Sequence, residues 1–96
     1  MALHIVNQSP YRSSALNDCL AAMAGGDALL LIEDAVYAAG MTPAALPMEK
    51  PIPAETYCLK ADAKARGVSV SEKIPQIDDD HWVTLCVQHT PIVSWF

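Results

Sequence analysis

The sequence has few charged residues and no cluster of positive charge. Only 18% of its 96 residues are charged, against about 25% in an average soluble domain, and 52% are hydrophobic. The six lysines and arginines are scattered, and the formal net charge is −5. Because binding to a phosphate backbone needs clustered Lys and Arg, we expect no direct contact with nucleic acid. A small domain with so little charge is expected to cover part of its surface with partner subunits.

The common signatures of enzymes and of cofactor sites are also missing. There is no C-x-x-C pair, no Cys/His spacing typical of zinc and no G-x-S-x-G segment. The pair Gly25-Gly26 precedes a predicted strand rather than a helix, which is the wrong context for a phosphate-binding loop. The sequence therefore predicts no cofactor, no metal and no self-contained redox dithiol, and it leaves open whether the chain has any catalytic activity of its own.

Cysteine usage and hydropathy indicate the compartment. Cys19, Cys58 and Cys86 are odd in number and far apart, which argues against a disulfide framework and for a reducing environment. No apolar run approaches the ~18–20 residues of a membrane span, and the first residues lack the basic region of a signal peptide. We expect a cytoplasmic protein that does not contact a membrane.

Short apolar runs alternate with helical patterns along the chain. The run 28–32 is apolar without alternation, which is typical of a parallel strand buried on both faces. Strands are expected at Leu3–Val6, 28–32, Thr56–Leu59, between Ile74 and Ile77, and at Ile92–Trp95. Helices are expected after Ser13 or Ser14, from Asp34 to Gly40, from Asp62 through Arg66, and after Asp78-Asp79-Asp80. Four prolines predict a loop over residues 40–53.

This alternation predicts one domain over residues 1–96. The expected fold class is α/β, with three α/β/α layers and a mainly parallel sheet of about five strands. Strand order cannot be read from a single sequence.

A few residues have both a chemical and a plain structural interpretation. Cys19 lies near the start of a helix, where a thiolate is favoured, but it shares an apolar stripe with Leu16, Leu20 and Met23. Cys58 and Cys86 are interpreted as small buried apolar residues. Glu33 and Asp34 follow a buried strand at the edge where α/β sheets bind ligands, although Asp34 also fits a helix cap. The run Asp78–Asp80 favours the start of a helix over a metal site, and Trp95-Phe96 is a candidate docking point for a partner.

Four segments resemble motifs of the DsrH/TusB family. They are residues 3–11 (LHIVNQSPY), 26–39 (GDALLLIEDAVYAA), 57–67 (YCLKADAKARG) and the end of the chain, DDHWVTL through VSW. The chain departs from the family pattern where Ala35 replaces a glycine and His81 replaces a tyrosine. The likeness covers both ends and the middle, and it leaves mainly the proline-rich loop unmatched.

The resemblance implies a DsrE-like fold and a heterohexamer with DsrE/TusD-like and DsrF/TusC-like subunits. Such complexes relay persulfide sulfur between donor and acceptor carrier proteins, either to 2-thiolation of the tRNA wobble uridine or in cytoplasmic sulfur oxidation. The principal sulfur-accepting cysteine belongs to the DsrE/TusD-like subunit, so this chain is expected to be an accessory subunit. We favour tRNA thiolation because it is the more widespread use.

The resemblance also implies a chemical role for Cys19. Members of the DsrH branch carry a cysteine at its position on the first helix, whereas some members of the tRNA branch lack it. Cys19 is therefore the candidate persulfide carrier: its thiolate would attack a donor persulfide and then release the terminal sulfur to the next thiol. A purely structural subunit, whose thiols carry nothing, is the alternative.

Overall fold

Five parallel strands form the middle layer of the structure, a computed structural model that describes residues 1–40 and 52–96. The strands are β1 (Leu3–Val6), β2 (Ala28–Leu31), β3 (Thr56–Leu59), β4 (Gln76–Ile77) and β5 (Ile92–Trp95). Their order across the sheet is β4-β3-β2-β1-β5, and every neighbouring pair is parallel. The predicted α/β class, the parallel sheet and its five strands are confirmed.

Helices cover both faces of this sheet. On one face lie α1 (Ala15–Ala22), a 3-10 helix (Glu33–Ala39) and α2 (Lys60–Ala65), and the opposite face is covered by α3 (Asp79–Gln88). The chain moves from β1 to β4 in one direction across the sheet, and α3 then returns it to β5 on the far side of β1. The three-layer arrangement expected from the sequence is therefore present.

Burial follows the period of the strands. All four residues of β2 are completely buried, as an uninterrupted apolar run predicts for a central parallel strand. Leu29 and Leu31 join the cluster under α1, whereas Ala28 and Leu30 join the cluster under α3. β5 lies at the edge and is more open, with Ile92 47% exposed.

Two of the helix starts differ from the sequence-based expectation, and a third, that of α1 after Ser14, agrees with it. The 3-10 helix begins after Ile32 and α2 begins after Leu59, so the predicted caps Asp34 and Asp62 lie inside their helices and point to other partners. At α1 the cap position is Ser14, which makes no side-chain cap hydrogen bond; the hydroxyl of Ser13 accepts from the backbone N–H of Ala15 instead, at 3.1 Å.

The acidic start of α3 is confirmed. Asp78 is its cap and accepts a hydrogen bond from the backbone N–H of His81 at 2.9 Å. The loop predicted over 40–53 lies largely outside the described residues. Within the described part of the chain, no helix is long and apolar enough to cross a membrane.

Candidate functional site

Cys19, the candidate sulfur carrier, lies on the inner side of α1. Its side chain has no exposed surface, and with Leu16 and Leu20 it packs into the cluster between α1 and the sheet. The apolar stripe predicted for this helix is confirmed, including Met23, which packs against the same cluster from the position after the helix. In this conformation the sulfur has no path to a donor persulfide.

The surroundings of Cys19 also oppose its ionisation. Burial, followed by the negative charge of Asp27, raises the pKa of the thiol from its ordinary value of 9.0 to about 12. A protonated thiol is a poor nucleophile, since the thiolate is the reacting form. A role of Cys19 in carrying sulfur therefore requires a conformation in which the apolar layer between α1 and the sheet opens. That role stays a prediction.

The prediction that the other two cysteines are buried holds fully for Cys58 and in part for Cys86. Cys58 on β3 is completely buried, and burial together with the charge of Asp62 raises its pKa to about 11. Cys86 is partly buried against the cluster under α3. All three are free thiols.

A buried polar relay joins three strands beside α1. The indole Nε1–H of Trp95 on β5 donates to Nδ1 of His4 on β1 at 3.0 Å. Nε2 of His4 lies 3.0 Å from Oδ2 of Asp27, which directly precedes β2. His4 is 5% exposed and is one of the few buried polar residues among those described. The relay therefore crosses the sheet from its β5 edge to β2.

The chemistry of the donors determines the protonation state of His4 in this relay. Indole nitrogen can only donate, so Nδ1 must carry a lone pair, and the proton of the neutral ring must lie on Nε2 and point to Asp27. The carboxylate also accepts from the backbone N–H groups of Ala24 and Ala2, at 3.0 and 2.9 Å. These two bonds and the bond from His4 lower the pKa of Asp27 to about 2, so Asp27 is ionised at every physiological pH.

A second polar cluster lies at the carboxyl edge of β2 and β3. Glu33 has a left-handed backbone with φ 48°, and its N–H donates to Oδ2 of Asp62 at 2.7 Å. Nε of Arg66 donates to Oδ1 of Asp34 at 2.8 Å, and its guanidinium lies 3.9 Å from Asp62. The carboxylates of Asp34 and Asp62 are thus occupied in holding the 3-10 helix to α2, whereas Glu33 takes part through its backbone.

Sequence reasoning missed both polar clusters, although it quoted their residues. His4, Asp27 and Trp95 belong to the first, second and fourth motifs of the family resemblance, and Asp34, Asp62 and Arg66 to the second and third. Apart from Arg66 and Asp62, which have the local i,i+4 spacing, the partners are 23 to 91 residues apart, so no local pattern joins them. The recurrence of polar residues inside otherwise apolar motifs was the available signal.

The described residues include no metal-binding cluster, and the charged residues of their open cavity are already hydrogen-bonded. Among the described residues, no group of three or more His, Cys, Asp or Glu side chains could hold a metal ion. An open cavity of about 450 Å³ lies where α1 ends and β2 and β3 begin. Asp27 and Glu55 are charged residues in its lining, and both carboxylates already accept hydrogen bonds from within the chain. Phe96, a predicted docking residue, is 83% exposed, whereas Trp95 is partly buried.

Comparison with known proteins identifies the family. The family described as DsrH like protein matches residues 8–92 of the chain. The chain belongs to the DsrH family. Proteins named TusB from Serratia proteamaculans and Escherichia fergusonii are 35% and 34% identical to it over 95 residues, which cover 97% of this chain and 99% of each relative.

A solved structure agrees with the DsrH assignment. The solution NMR structure of protein Tm0979 from Thermotoga maritima superposes with a TM-score of 0.66 at 26% sequence identity. The match covers 92% of this DsrH-family chain and 93% of the other. The family resemblance and the fold class predicted from the sequence are therefore both confirmed.

Proposed function

We propose that this chain is a subunit of a cytoplasmic persulfide sulfur-relay complex that serves 2-thiolation of the tRNA wobble uridine. The proposal rests on membership of the DsrH family together with nearly full-length relatives named TusB. Within the complex the chain contacts DsrE/TusD-like and DsrF/TusC-like subunits, and sulfur reaches and leaves the assembly on carrier proteins. The tRNA is held elsewhere, since this chain has a net charge of −5 and no basic patch.

The described structure supports an accessory role. The two thiols with raised pKa are completely buried, and the polar motif residues bind one another rather than a free site. Exposed apolar side chains, including Val83, Val87, Ile92 and Phe96, fit a surface that is covered by other subunits. Most of the sulfur chemistry then belongs to a partner, and Cys19 is the one candidate carrier on this chain.

Two measurements test the proposal. Native mass spectrometry of the chain mixed with both related subunits should give a hexamer; a stable monomer in the mixture contradicts the assembly. In cells, deletion of the gene should remove 2-thiouridine from tRNA, and the wild-type gene should restore it. Unchanged 2-thiouridine with impaired sulfur oxidation would assign the chain to the oxidation branch instead.

The carrier role of Cys19 has its own test in the assembled complex. Persulfide loading of this chain should be lost in Cys19→Ala and kept in Cys58→Ala, which removes an equally buried thiol from β3. Equal persulfide loading of both variants would contradict the carrier role and would favour a purely structural subunit.

A further inference from the structure

The Trp95–His4–Asp27 relay is placed to control the layer that encloses Cys19. Trp95 packs against the apolar cluster in which Cys19 is buried, and β5 contacts α1 directly. The indole therefore covers part of that cluster. The backbone of Trp95 is paired with β1 in the sheet, whereas the indole itself is joined to β1 by its hydrogen bond to His4.

We propose that His4 is a proton-operated latch. Neutral His4 holds Trp95 against the apolar cluster that buries Cys19, and protonation of His4 releases Trp95 and opens this cluster. The use of this opening for sulfur transfer rests on the function proposed above. The opening itself is independent of that function.

The direction of the switch follows from the hydrogen-bond donors. A proton arriving from solvent must bind Nδ1, because Nε2 already carries one. Nδ1–H then faces the Nε1–H of Trp95 at 3.0 Å, two donors with no acceptor between them, so the indole has to move. The other side of the ring is undisturbed, since Nε2–H still donates to the ionised carboxylate of Asp27. The disruption therefore falls on β5 alone.

Few other charges surround this switch. Among the described residues, Asp27, which precedes β2, and Cys19 on α1, which interacts electrostatically with Asp27, are titratable groups near the relay, and Cys58 on β3 belongs to the same apolar cluster as Cys19. The neighbours of His4 in the strand register, Leu29 on β2 and Val93 on β5, are apolar. Asp27 stays ionised between pH 8 and pH 5, so it does not itself produce a change in this layer over that range.

The experiment compares two buried thiols in one chain. Cys58 is as fully buried as Cys19 but lies on β3, separated from β5 by two strands. The full-length chain is treated with 4,4′-dithiodipyridine, which reacts with thiols in acid as well as at neutral pH, and the modified cysteines are counted by peptide mass spectrometry. Because thiolate fractions of both cysteines fall equally with pH, the ratio of the two rates isolates access to the thiol. The protonation of His4 is followed in parallel by ¹⁵N NMR of its ring.

The ratio of the Cys19 rate to the Cys58 rate should rise about tenfold as His4 gains its proton, the factor expected for loss of one hydrogen bond. At pH 8, Trp95→Phe should raise the same ratio about fivefold to tenfold, because phenylalanine keeps a ring but has no donor. The matched control is Trp82→Phe, which changes a partly buried tryptophan of α3 on the other face and should leave the ratio unchanged.

Three results overturn the latch: His4 remains neutral down to pH 5, the ratio stays constant while His4 gains its proton, or Trp82→Phe has the same effect as Trp95→Phe. The pH series uses the unmodified chain, so the test stands even if a variant fails to fold. Since the probe reports access alone, loss of the sulfur-relay function would leave these readings unaffected.

Discussion

The burial of Cys19 leads to a prediction about thiol reactivity with a defined size. Its pKa is raised from 9.0 to about 12, and that of Cys58 to about 11. At pH 8 the thiolate fraction is then lower than that of an ordinary thiol by about a thousandfold for Cys19 and about a hundredfold for Cys58. Closed packing slows both further. In the isolated chain at neutral pH or above, the partly exposed Cys86 should react fastest and Cys19 slowest.

The assay is alkylation by iodoacetamide between pH 7 and pH 10, followed by peptide mass spectrometry, with the chain unfolded in urea as the reference. The rate of an ordinary thiol bends near pH 9, where ionisation is half complete, and rises at most about twofold above that pH. The Cys19 rate should instead keep rising about tenfold per pH unit through pH 10, because its thiolate is still a minor form.

Two results would refute this reasoning. One is a Cys19 rate at pH 8 within tenfold of the unfolded chain, which would mean that the thiol is accessible and ionises normally. The other is a Cys19 rate that levels off near pH 9. Either would also remove the need for an opening step before sulfur transfer, because the closed layer would not be protecting the thiol.

Further predictions concern stability. Both buried thiols have a higher pKa in the folded chain than in the unfolded chain, so their contribution to stability is complete below pH 9 and is lost as pH rises toward 11. Urea unfolding should show this decline in the free energy of unfolding. A chain with both cysteines replaced by alanine should show a smaller decline. Glu33→Gly should raise the free energy of unfolding by about 1 kcal/mol, because glycine adopts a left-handed backbone without strain. Asp34→Gly, inside the 3-10 helix, should lower the free energy of unfolding. Equal effects of the two substitutions would contradict backbone strain at Glu33. Leu30→Ala should cost about 2–5 kcal/mol in the same assay, and Val87→Ala, at an 80% exposed position, about 0.5 kcal/mol or less.

The strands could be predicted because their signal is local. An apolar run without alternation, such as 28–32, has few other structures available, and helix patterns between the runs leave a parallel sheet as the simple solution. The same reasoning located the stripe on α1 and the acidic start of α3. Each of these predictions depends on residues within about ten positions of one another.

The helix caps predicted at Asp34 and Asp62 were wrong for a physical reason. A short polar side chain near a helix start normally accepts from its own backbone. Here more distant donors compete with the local backbone. The carboxylate of Asp34 accepts a hydrogen bond from Arg66, and the carboxylate of Asp62 accepts one from the backbone N–H of Glu33, at the start of the 3-10 helix. Local propensity cannot reveal such a partner, because the partner arrives only when the 3-10 helix and α2 pack side by side.

The same long-range contacts explain what the family motifs encode in this chain. Several of their polar residues are bound within the chain: His4 to Asp27 and Trp95, and Arg66 to Asp34. The motifs therefore specify how the sheet edge and the helices are joined, and none of them contains the candidate carrier Cys19. A family match can thus be strong while saying little about where sulfur binds. The chemistry has to come from a partner subunit or from a movement that uncovers Cys19, and the relay beside β5 is the described feature with both the position and the titratable group to produce that movement.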